Sequence, residues 1–215
     1  TTILRMLAGL EHADSGEIII DGRVVNDVPA SERGIGFVFQ NYALFRYMTV
    51  YDNIAFGLDV KKWKKADIRR RVDELVELVG LKGFEKRYPN QLSGGQRQRA
   101  WIAMTLAQET EMILLDEPTT YLDMAYQLDV LQLLERMNRE KQLTIVMVLH
   151  DLNEACRFAD HIIGLKNGKV VCEGKPADVI TRENIREIYG IDAKLVMSDG
   201  GYPICMEFDR VIKTL

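Results

Sequence analysis

An apolar segment that ends in two acidic residues is the strongest chemical feature of this sequence. The run Met-Ile-Leu-Leu at 112–115 continues directly into Asp116 and Glu117. If the run is a β-strand, both carboxylates lie at the carboxyl edge of a sheet, where open α/β proteins bind their ligands. One acid can then hold Mg²⁺, directly or through water, while its neighbour orients and polarises a water molecule. The alternative interpretation is a solvated strand end that binds no ligand.

The segment Ser93-Gly94-Gly95-Gln96 has the composition of a phosphate-binding turn. It opens a run of helix-forming residues that extends to Ala107, so its two glycines leave the backbone N–H groups of a predicted helix start uncovered. The N-terminus of a helix carries unpaired donors and a positive partial charge, which together suit a phosphate group. Ser93 adds a hydroxyl donor. An ordinary serine N-cap followed by a flexible turn is the alternative.

Two further polar residues follow apolar segments. Gln40 ends the segment 35–39, and His150 ends the run 143–149. A neutral amide can reach a metal or a water molecule, and a histidine can hydrogen-bond a phosphate oxygen, although each residue alone is more often structural. Because the carboxyl ends of neighbouring parallel strands meet at one edge of a sheet, we expect Gln40, His150 and the acidic pair to converge on one triphosphate-sized hollow.

The elements that must position these groups predict an α/β fold. The apolar runs are typical of strands buried on both faces in a parallel sheet, and a helix predicted over 124–139 separates two of them. Apolar residues at helical spacing between Ile68 and Val79 predict another helix, which ends at Gly80. Turn signals predict antiparallel strand pairs at residues 17–25 (Asp21-Gly22), 161–173 (Asn167-Gly168) and 194–208 (Gly200-Gly201). Residues 2–10 and 176–190 are predicted to be helical.

Composition and charge exclude several classes of protein. The 215 residues carry 28 basic and 32 acidic side chains, a net charge of −4, which argues against a protein that wraps nucleic acid. The sequence has no run of 18 apolar residues that could span a membrane. The three cysteines are odd in number and lack CxxC spacing, which favours free thiols in a reducing compartment. The basic run Lys61-Lys62-Trp63-Lys64-Lys65 is interpreted as a solvated helix edge.

The order and spacing of these motifs resemble the ATP-binding subunits of ABC transporters, and the resemblance covers essentially the whole chain. Residues 92–96 match the family's LSGGQ signature, and residues 112–116 match its Walker B strand. The other matches are Glu117 for the catalytic glutamate, Thr120 to Asp123 for the D-loop, His150 for the switch histidine and Gln40 for the Q-loop glutamine.

The resemblance implies a P-loop NTPase-type α/β fold. Such a fold has a mainly parallel sheet flanked by helices, an inserted helical subdomain and a small antiparallel β portion. We expect one ABC-type ATP-binding domain over residues 1–215. Its helical subdomain is predicted at 41–105, inserted in a catalytic core made of 1–40 plus 106–215.

The front of the chain resembles the end of the family's phosphate loop. That loop has the pattern GxxxxGK[ST] followed by a helix ending in LAGL, and Ala8-Gly9-Leu10 is present here. Thr1 matches the motif's final Ser/Thr, so the resemblance assigns its hydroxyl to Mg²⁺ and assigns Thr2 to a phosphate. The preceding glycines and lysine are absent, so we expect an N-terminally truncated chain that hydrolyses ATP poorly as it stands.

The resemblance also implies roles for the matched residues in binding and hydrolysing ATP with Mg²⁺. The implied catalytic residues are Glu117, which polarises the attacking water, and His150, which holds the γ-phosphate. The implied metal ligands are Thr1, Gln40 and Asp116. The implied nucleotide contacts are Thr1, Thr2, Gln40, Ser93, Gly94, Gly95, Gln96 and Asp123.

The implied partners follow from the position of the signature. In the family, the residues that match Ser93 to Gly95 act on the ATP of a second copy, so two copies form a head-to-tail homodimer that shares two ATP sites. The dimer would drive transmembrane permease subunits, with an external substrate-binding protein acting indirectly. We therefore expect a peripheral protein on the cytoplasmic face of the cell membrane and no nucleic-acid partner.

The cargo is predicted from regional resemblances. Residues 34–58 look like sulfate importer ATPases and residues 93–190 look like ferric-siderophore importer ATPases, so a hybrid is one hypothesis. We predict a ferric-siderophore importer, with a sulfate or similar oxyanion importer as the alternative. A non-transport ABC ATPase acting on DNA or ribosomes is disfavoured, because the interval from Gln40 to Ser93 has no room for a long coiled coil and the chain has one cassette. A binding or scaffold fragment without catalysis is the remaining alternative.

Overall fold

The structure is a computed structural model that describes residues 1–38, 44–120 and 122–210. Its strands are β1 (Ile19–Ile20), β2 (Arg23–Val24), β3 (Ile35–Val38), β4 (Met112–Asp116), β5 (Thr144–Val148), β6 (Ile162–Lys166), β7 (Lys169–Gly174), β8 (Ile191–Met197) and β9 (Pro203–Arg210). Its α-helices are α1 (Thr2–Leu7), α2 (Val50–Val60), α3 (Lys65–Leu78), α4 (Gly94–Leu106), α5 (Met124–Lys141), α6 (Leu152–Phe158), α7 (Pro176–Val179) and α8 (Arg182–Tyr189).

A three-stranded parallel sheet in the order β3-β4-β5 organises the first part of the molecule. Val38 pairs with Leu115, and Asp116 pairs with Val148. The three strands therefore end together at one edge of the sheet. The expectation that three neighbouring apolar segments run parallel is confirmed, and the fold is α/β, with the small antiparallel pairs β1-β2, β6-β7 and β8-β9.

Both faces of the central strand are covered. Leu114 packs with Leu4 and Ala8 on one face, whereas Ile113 and Leu115 join the large cluster formed with the helices on the other face. These three strand residues are at most 1% exposed. The expectation of burial on both faces is wrong for β5, whose residues are half-buried or exposed. In the described residues β5 pairs only with β4, so its other edge has no strand beside it.

Three helices follow one another between β3 and β4 in the chain. The predicted apolar face of α3 is confirmed, since Ile68, Val72, Leu75 and Val76 are all buried in the large cluster, together with Val79 just beyond the helix. Helix α2 begins at a capping box in which Thr49 accepts from the Asp52 N–H and Asp52 accepts from the Thr49 N–H. The boundaries proposed for a helical subdomain at 41–105 remain a prediction.

The described chain divides into two compact units, Thr1–Val148 and Leu149–Leu215. In the second unit, the hairpin β6-β7 turns at Asn167 and Gly168, whose φ angles of 50° and 73° are those of the predicted turn. The helical structure predicted over 176–190 is present as two helices, α7 and α8. Thr181 separates the two helices, because its backbone is extended. Its side chain is the N-cap of α8 and accepts a hydrogen bond from the Asn184 N–H.

The three cysteines are free thiols, all in the second unit. Cys156 and Cys205 are buried in the small apolar cluster of this unit, and burial raises the pKa of Cys156 to about 12. The side chain of Asn153 makes two hydrogen bonds with the backbone of Cys205. Its Oδ1 accepts from the Cys205 N–H at 2.7 Å and its Nδ2 donates to the Cys205 carbonyl at 3.1 Å, which ties α6 to β9.

In the described part of the chain, every helix is too short or too polar to cross a bilayer.

Gly36 provides a test of the packing between β3 and α4. A Cβ at this position would lie 2.5 Å from Cγ2 of Thr105 and 3.0 Å from Oγ1 of Thr110. We predict that Gly36→Ala lowers the free energy of unfolding by about 1–3 kcal/mol, because these buried side chains must move. Urea denaturation measures the change.

Gly57→Ala is the matched control. This glycine lies within α2, and the nearest atom to its added Cβ is Cγ of Gln108 at 3.6 Å. Alanine is the better helix former by about 1 kcal/mol, so the control is expected to be neutral or stabilising. Equal stability of the two variants would contradict the packing described here.

Candidate nucleotide site

The carboxylate of Asp116 lies at the end of the central strand and is only 3% exposed. The hydroxyl of Thr1, the N-cap residue of α1, donates to Oδ1 of Asp116 at 3.0 Å and makes no capping bond to its own helix. Packing of Leu4 and Ala8 against Leu114 holds α1 beside this strand. The structure thus brings together two of the predicted metal ligands.

The other end of α1 is fixed by Arg33. Its guanidinium donates to the carbonyl oxygens of Met6 at 2.8 Å and Leu7 at 2.9 Å, in the last turn of the helix. It also donates to the carbonyl of Val28 at 2.8 Å. Last-turn carbonyls have no partner within their own helix, so these bonds anchor α1. The sequence contained no signal for this role of Arg33.

The oxygen atoms of Thr1 and Asp116 fit a divalent cation. Hydroxyl and carboxylate oxygens are the hard donors that Mg²⁺ takes, and two adjacent ligands in an octahedron of about 2.1 Å radius lie about 3 Å apart. The observed separation of 3.0 Å matches that value. The pair can therefore accept Mg²⁺ after loss of its direct hydrogen bond.

Glu117 occupies a sharp turn immediately after Asp116. Its φ of 53° is left-handed, a conformation that costs about 1–3 kcal/mol in a residue other than glycine. Its Oε2 accepts a hydrogen bond from the Thr120 hydroxyl at 3.1 Å. The strained backbone and this bond orient the half-buried carboxylate beside the end of the strand. The sequence pattern places Thr120 only in a loop match and contains no signal for this contact.

The Ser93 turn is a capping box in the structure. Oγ of Ser93 accepts from the Gln96 N–H at 3.3 Å, and Oε1 of Gln96 accepts from the Ser93 N–H at 3.0 Å. The local interpretation as a serine N-cap is therefore confirmed. It is compatible with phosphate binding, because a hydroxyl that accepts one bond keeps its proton for donation. Ser93 itself is exposed.

A close contact joins the starts of α4 and α5. A Cβ on Gly95 would lie 3.0 Å from the ring of Tyr126, whereas one on Gly94 would meet only Leu122, at 3.7 Å. Asp123 N-caps α5 by accepting from the Tyr126 N–H at 3.2 Å. Tyr126 thereby connects the predicted signature turn to Asp123, a role that the sequence did not reveal.

The other predicted residues are placed as follows. Thr2 is exposed in the first turn of α1. His150 comes two residues after Val148, which ends β5, and belongs to the second unit. Gln40 comes two residues after Val38, which ends β3, and lies outside the described residues. The roles of these three residues remain predictions.

A double-mutant cycle tests the contact between α4 and α5. We predict that Gly95→Ala lowers the free energy of unfolding by about 1–3 kcal/mol, because its methyl group would lie 3.0 Å from the Tyr126 ring, closer than ordinary van der Waals contact. Gly94→Ala, the matched control, is expected to change stability by less than about 0.5 kcal/mol. In a Tyr126→Ala background the Gly95→Ala penalty should disappear. Additivity of the two changes within about 0.5 kcal/mol would contradict the contact.

Comparison with known proteins identifies relatives of this chain. The family described as ABC transporter matches residues 1–120. The sulfate/thiosulfate import ATP-binding protein CysA of Mycobacterium tuberculosis is 50% identical over 179 residues, which cover 83% of this chain and 51% of that protein. CysA of Synechococcus elongatus is 48% identical, with coverages of 83% and 52%. The chain spans about half the length of these relatives.

Solved structures show the same fold. The ATP-binding cassette MJ0796, in a dimeric post-hydrolysis state with ADP and Pi, has a TM-score of 0.71 and 37% identity, covering 81% of this chain and 79% of that one. The cbiO1 protein of Clostridium perfringens, part of an ABC transporter complex, has a TM-score of 0.78 and 29% identity, with coverages of 86% and 76%. The family match over more than half of the sequence, together with these folds, shows that the chain belongs to the ABC transporter family.

Proposed function

We propose that this chain binds and hydrolyses ATP to energise an ABC importer. The observation that carries the proposal is the pairing of the Thr1 hydroxyl with the buried Asp116 carboxylate, next to Glu117, at the carboxyl edge of a parallel sheet. Thr1 and Asp116 would hold Mg²⁺, which neutralises phosphate charge when bound. Phosphoryl transfer depends mainly on positioning and electrostatic stabilisation, and these side chains are suited to both.

Glu117 is the proposed base that orients and polarises the attacking water. Its backbone turn and its bond from Thr120 restrict the carboxylate before substrate arrives, which lowers the reorganisation that the reaction requires. His150 and Gln40 are proposed to contact the γ-phosphate and the metal, respectively. Both remain assignments from the sequence pattern.

A second copy of the chain is the proposed partner across the nucleotide. Ser93 is exposed at the start of α4, and Met124 is 84% exposed beside Asp123 at the start of α5. An exposed apolar side chain next to a free hydroxyl donor suits an interface that closes over a phosphate. The dimeric state of the related MJ0796 cassette supports a homodimer, for which a head-to-tail arrangement is proposed.

A permease is the proposed membrane partner, and the segment before α2 is the proposed contact. Tyr47 is 96% exposed, next to a groove of about 850 Å³ that is also lined by Leu44 and Tyr88. The buried amide of Asn53 fixes this segment, since it bonds the backbone of Phe45 and donates to the carbonyl of Met48. An exposed aromatic side chain on a backbone held in this way suits binding to another protein. The protein would then lie peripherally on the cytoplasmic face of the membrane.

Sulfate or thiosulfate is the proposed cargo. The CysA relatives are named for sulfate/thiosulfate import, so the comparisons favour the oxyanion alternative over the ferric siderophore that the sequence suggested. The siderophore hypothesis, and with it a role in iron transport, is not supported by these relatives.

Replacing Glu117 by glutamine tests the catalytic assignment. In a version of the chain that includes the complete phosphate loop, we predict that Glu117→Gln retains nucleotide binding but lowers kcat by at least about 100-fold, because an amide cannot accept the proton of the attacking water. Thr120→Val, which removes the hydroxyl that donates to Glu117, should lower kcat by a smaller factor with similar KM. Phosphate release and calorimetry measure the two effects. Unchanged turnover in Glu117→Gln would overturn the assignment.

Uptake measurements test the cargo. In cells that lack the protein, restoring it should restore uptake of labelled sulfate, whereas the Glu117→Gln variant should not. A transmembrane protein should copurify with the chain, and Tyr47→Ala should weaken that association. Restored uptake of a ferric siderophore without sulfate uptake would overturn the cargo assignment. Hydrolysis without any copurifying membrane protein would favour a non-transport ATPase.

A further inference from the structure

The loop between α2 and α3 and the first turns of α3 carry cations that the nucleotide site does not use. We call this surface the basic loop. All six cations are exposed, and Asp67 is the single acid among residues 61–70. The basic loop consists of Lys61, Lys62, Lys64, Lys65, Arg69 and Arg70.

The basic loop is anchored to the core of the first unit. Trp63 packs against the large apolar cluster, and its N–H donates to the carbonyl of Leu58 at 3.1 Å. Nζ of Lys61 donates to the carbonyl of Gln108 at 2.7 Å. Because Trp63 is turned inward, the neighbouring Lys62 and Lys64 are displayed to solvent from a fixed backbone. The surface is therefore preformed and is more than a solvated helix edge.

Four of the six cations of the basic loop have side chains that the fold does not use. In the described part of the chain, the side chains of Lys62, Lys64, Lys65 and Arg69 make no hydrogen bond or ion pair, and the side chain of Arg70 pairs only with Asp67, at 3.1 Å. Lys65 and Arg69 lie one helical turn apart, where like charges repel. Cations are also disfavoured at the beginning of a helix, where Lys65 lies. An anionic partner would relieve both penalties.

We propose that the basic loop binds the surface of an anionic lipid bilayer. Without its six cations and Asp67, the chain keeps 22 basic and 31 acidic residues, a net charge of −9, so a long polyanion would be repelled beyond the loop. The aromatic residue of the loop, Trp63, is directed into the core and cannot stack on bases. Clustered cations on a small surface suit lipid headgroups instead. The inference rests on the proposed function, because an importer's ATPase works next to a membrane.

Vesicle sedimentation tests the proposal. The protein should bind vesicles of phosphatidylcholine mixed with phosphatidylglycerol, bind phosphatidylcholine vesicles weakly, and lose binding as salt is raised. The triple variant K62Q/K64Q/K65Q should bind the anionic vesicles about 100-fold more weakly, from the contribution of each lysine near such a surface. The control K82Q/K141Q/K169Q removes the same charge from scattered exposed positions and should bind within about threefold of the unmodified protein.

Three outcomes would overturn the proposal. These are equal weakening in both triple variants, vesicle binding that ignores lipid charge, and tighter binding to RNA than to anionic vesicles. Thermal unfolding checks that both variants fold. ATP binding by a version of the chain that includes the complete phosphate loop separates this proposal from the proposed function. Normal ATP binding without lipid binding overturns only the proposal that the basic loop binds lipid. Lipid binding without ATP binding overturns only the proposed ATPase function.

Discussion

The burial of the Asp116 carboxylate is the constraint on which the proposed nucleotide site depends. An acid that is 3% exposed is costly to bury unless polar partners surround it. The Thr1 hydroxyl is one such partner, and it reaches Asp116 only because apolar contacts hold α1 on the adjacent face of the sheet. Arg33 fixes the far end of the same short helix. Apolar packing thus positions α1, and the polar pair that it brings together provides the oxygen atoms of the proposed metal site.

The same division of roles recurs at the start of α4. Ser93 and Asp123 are helix caps in this structure, and each is also a predicted nucleotide contact. A cap holds its side chain in one place, so local helix stability and functional positioning depend on the same atoms. Gly95 lies close to Tyr126 between the two caps, and a side chain at that position would crowd the Tyr126 ring.

Local chemistry made much of the fold predictable. The Asp21-Gly22 and Asn167-Gly168 turns were predicted correctly because few residue pairs adopt the two positive φ angles that these hairpins require. Helical structure over 176–190 was predicted, but the break at Thr181 was not, because Thr181 is compatible with a helical pattern and acts as a cap only in its actual backbone conformation. The burial of β5 was also overestimated, since apolar composition does not say which strand lies at an edge.

The sequence by itself determined two local structures: an apolar strand that ends in an acidic pair, and a serine-glycine turn that begins a helix. It also determined the order of these two motifs along the chain, because all of this follows from residue types at short spacings. Tertiary structure decided which groups meet. The bonds of Thr1 with Asp116 and of Thr120 with Glu117, and the contact of Gly95 with Tyr126, depend on how α1, the turn after β4 and α5 pack. Which elements pack together depends on the burial of many apolar residues along the whole chain. No short motif contains that information, so these contacts could not be predicted from it.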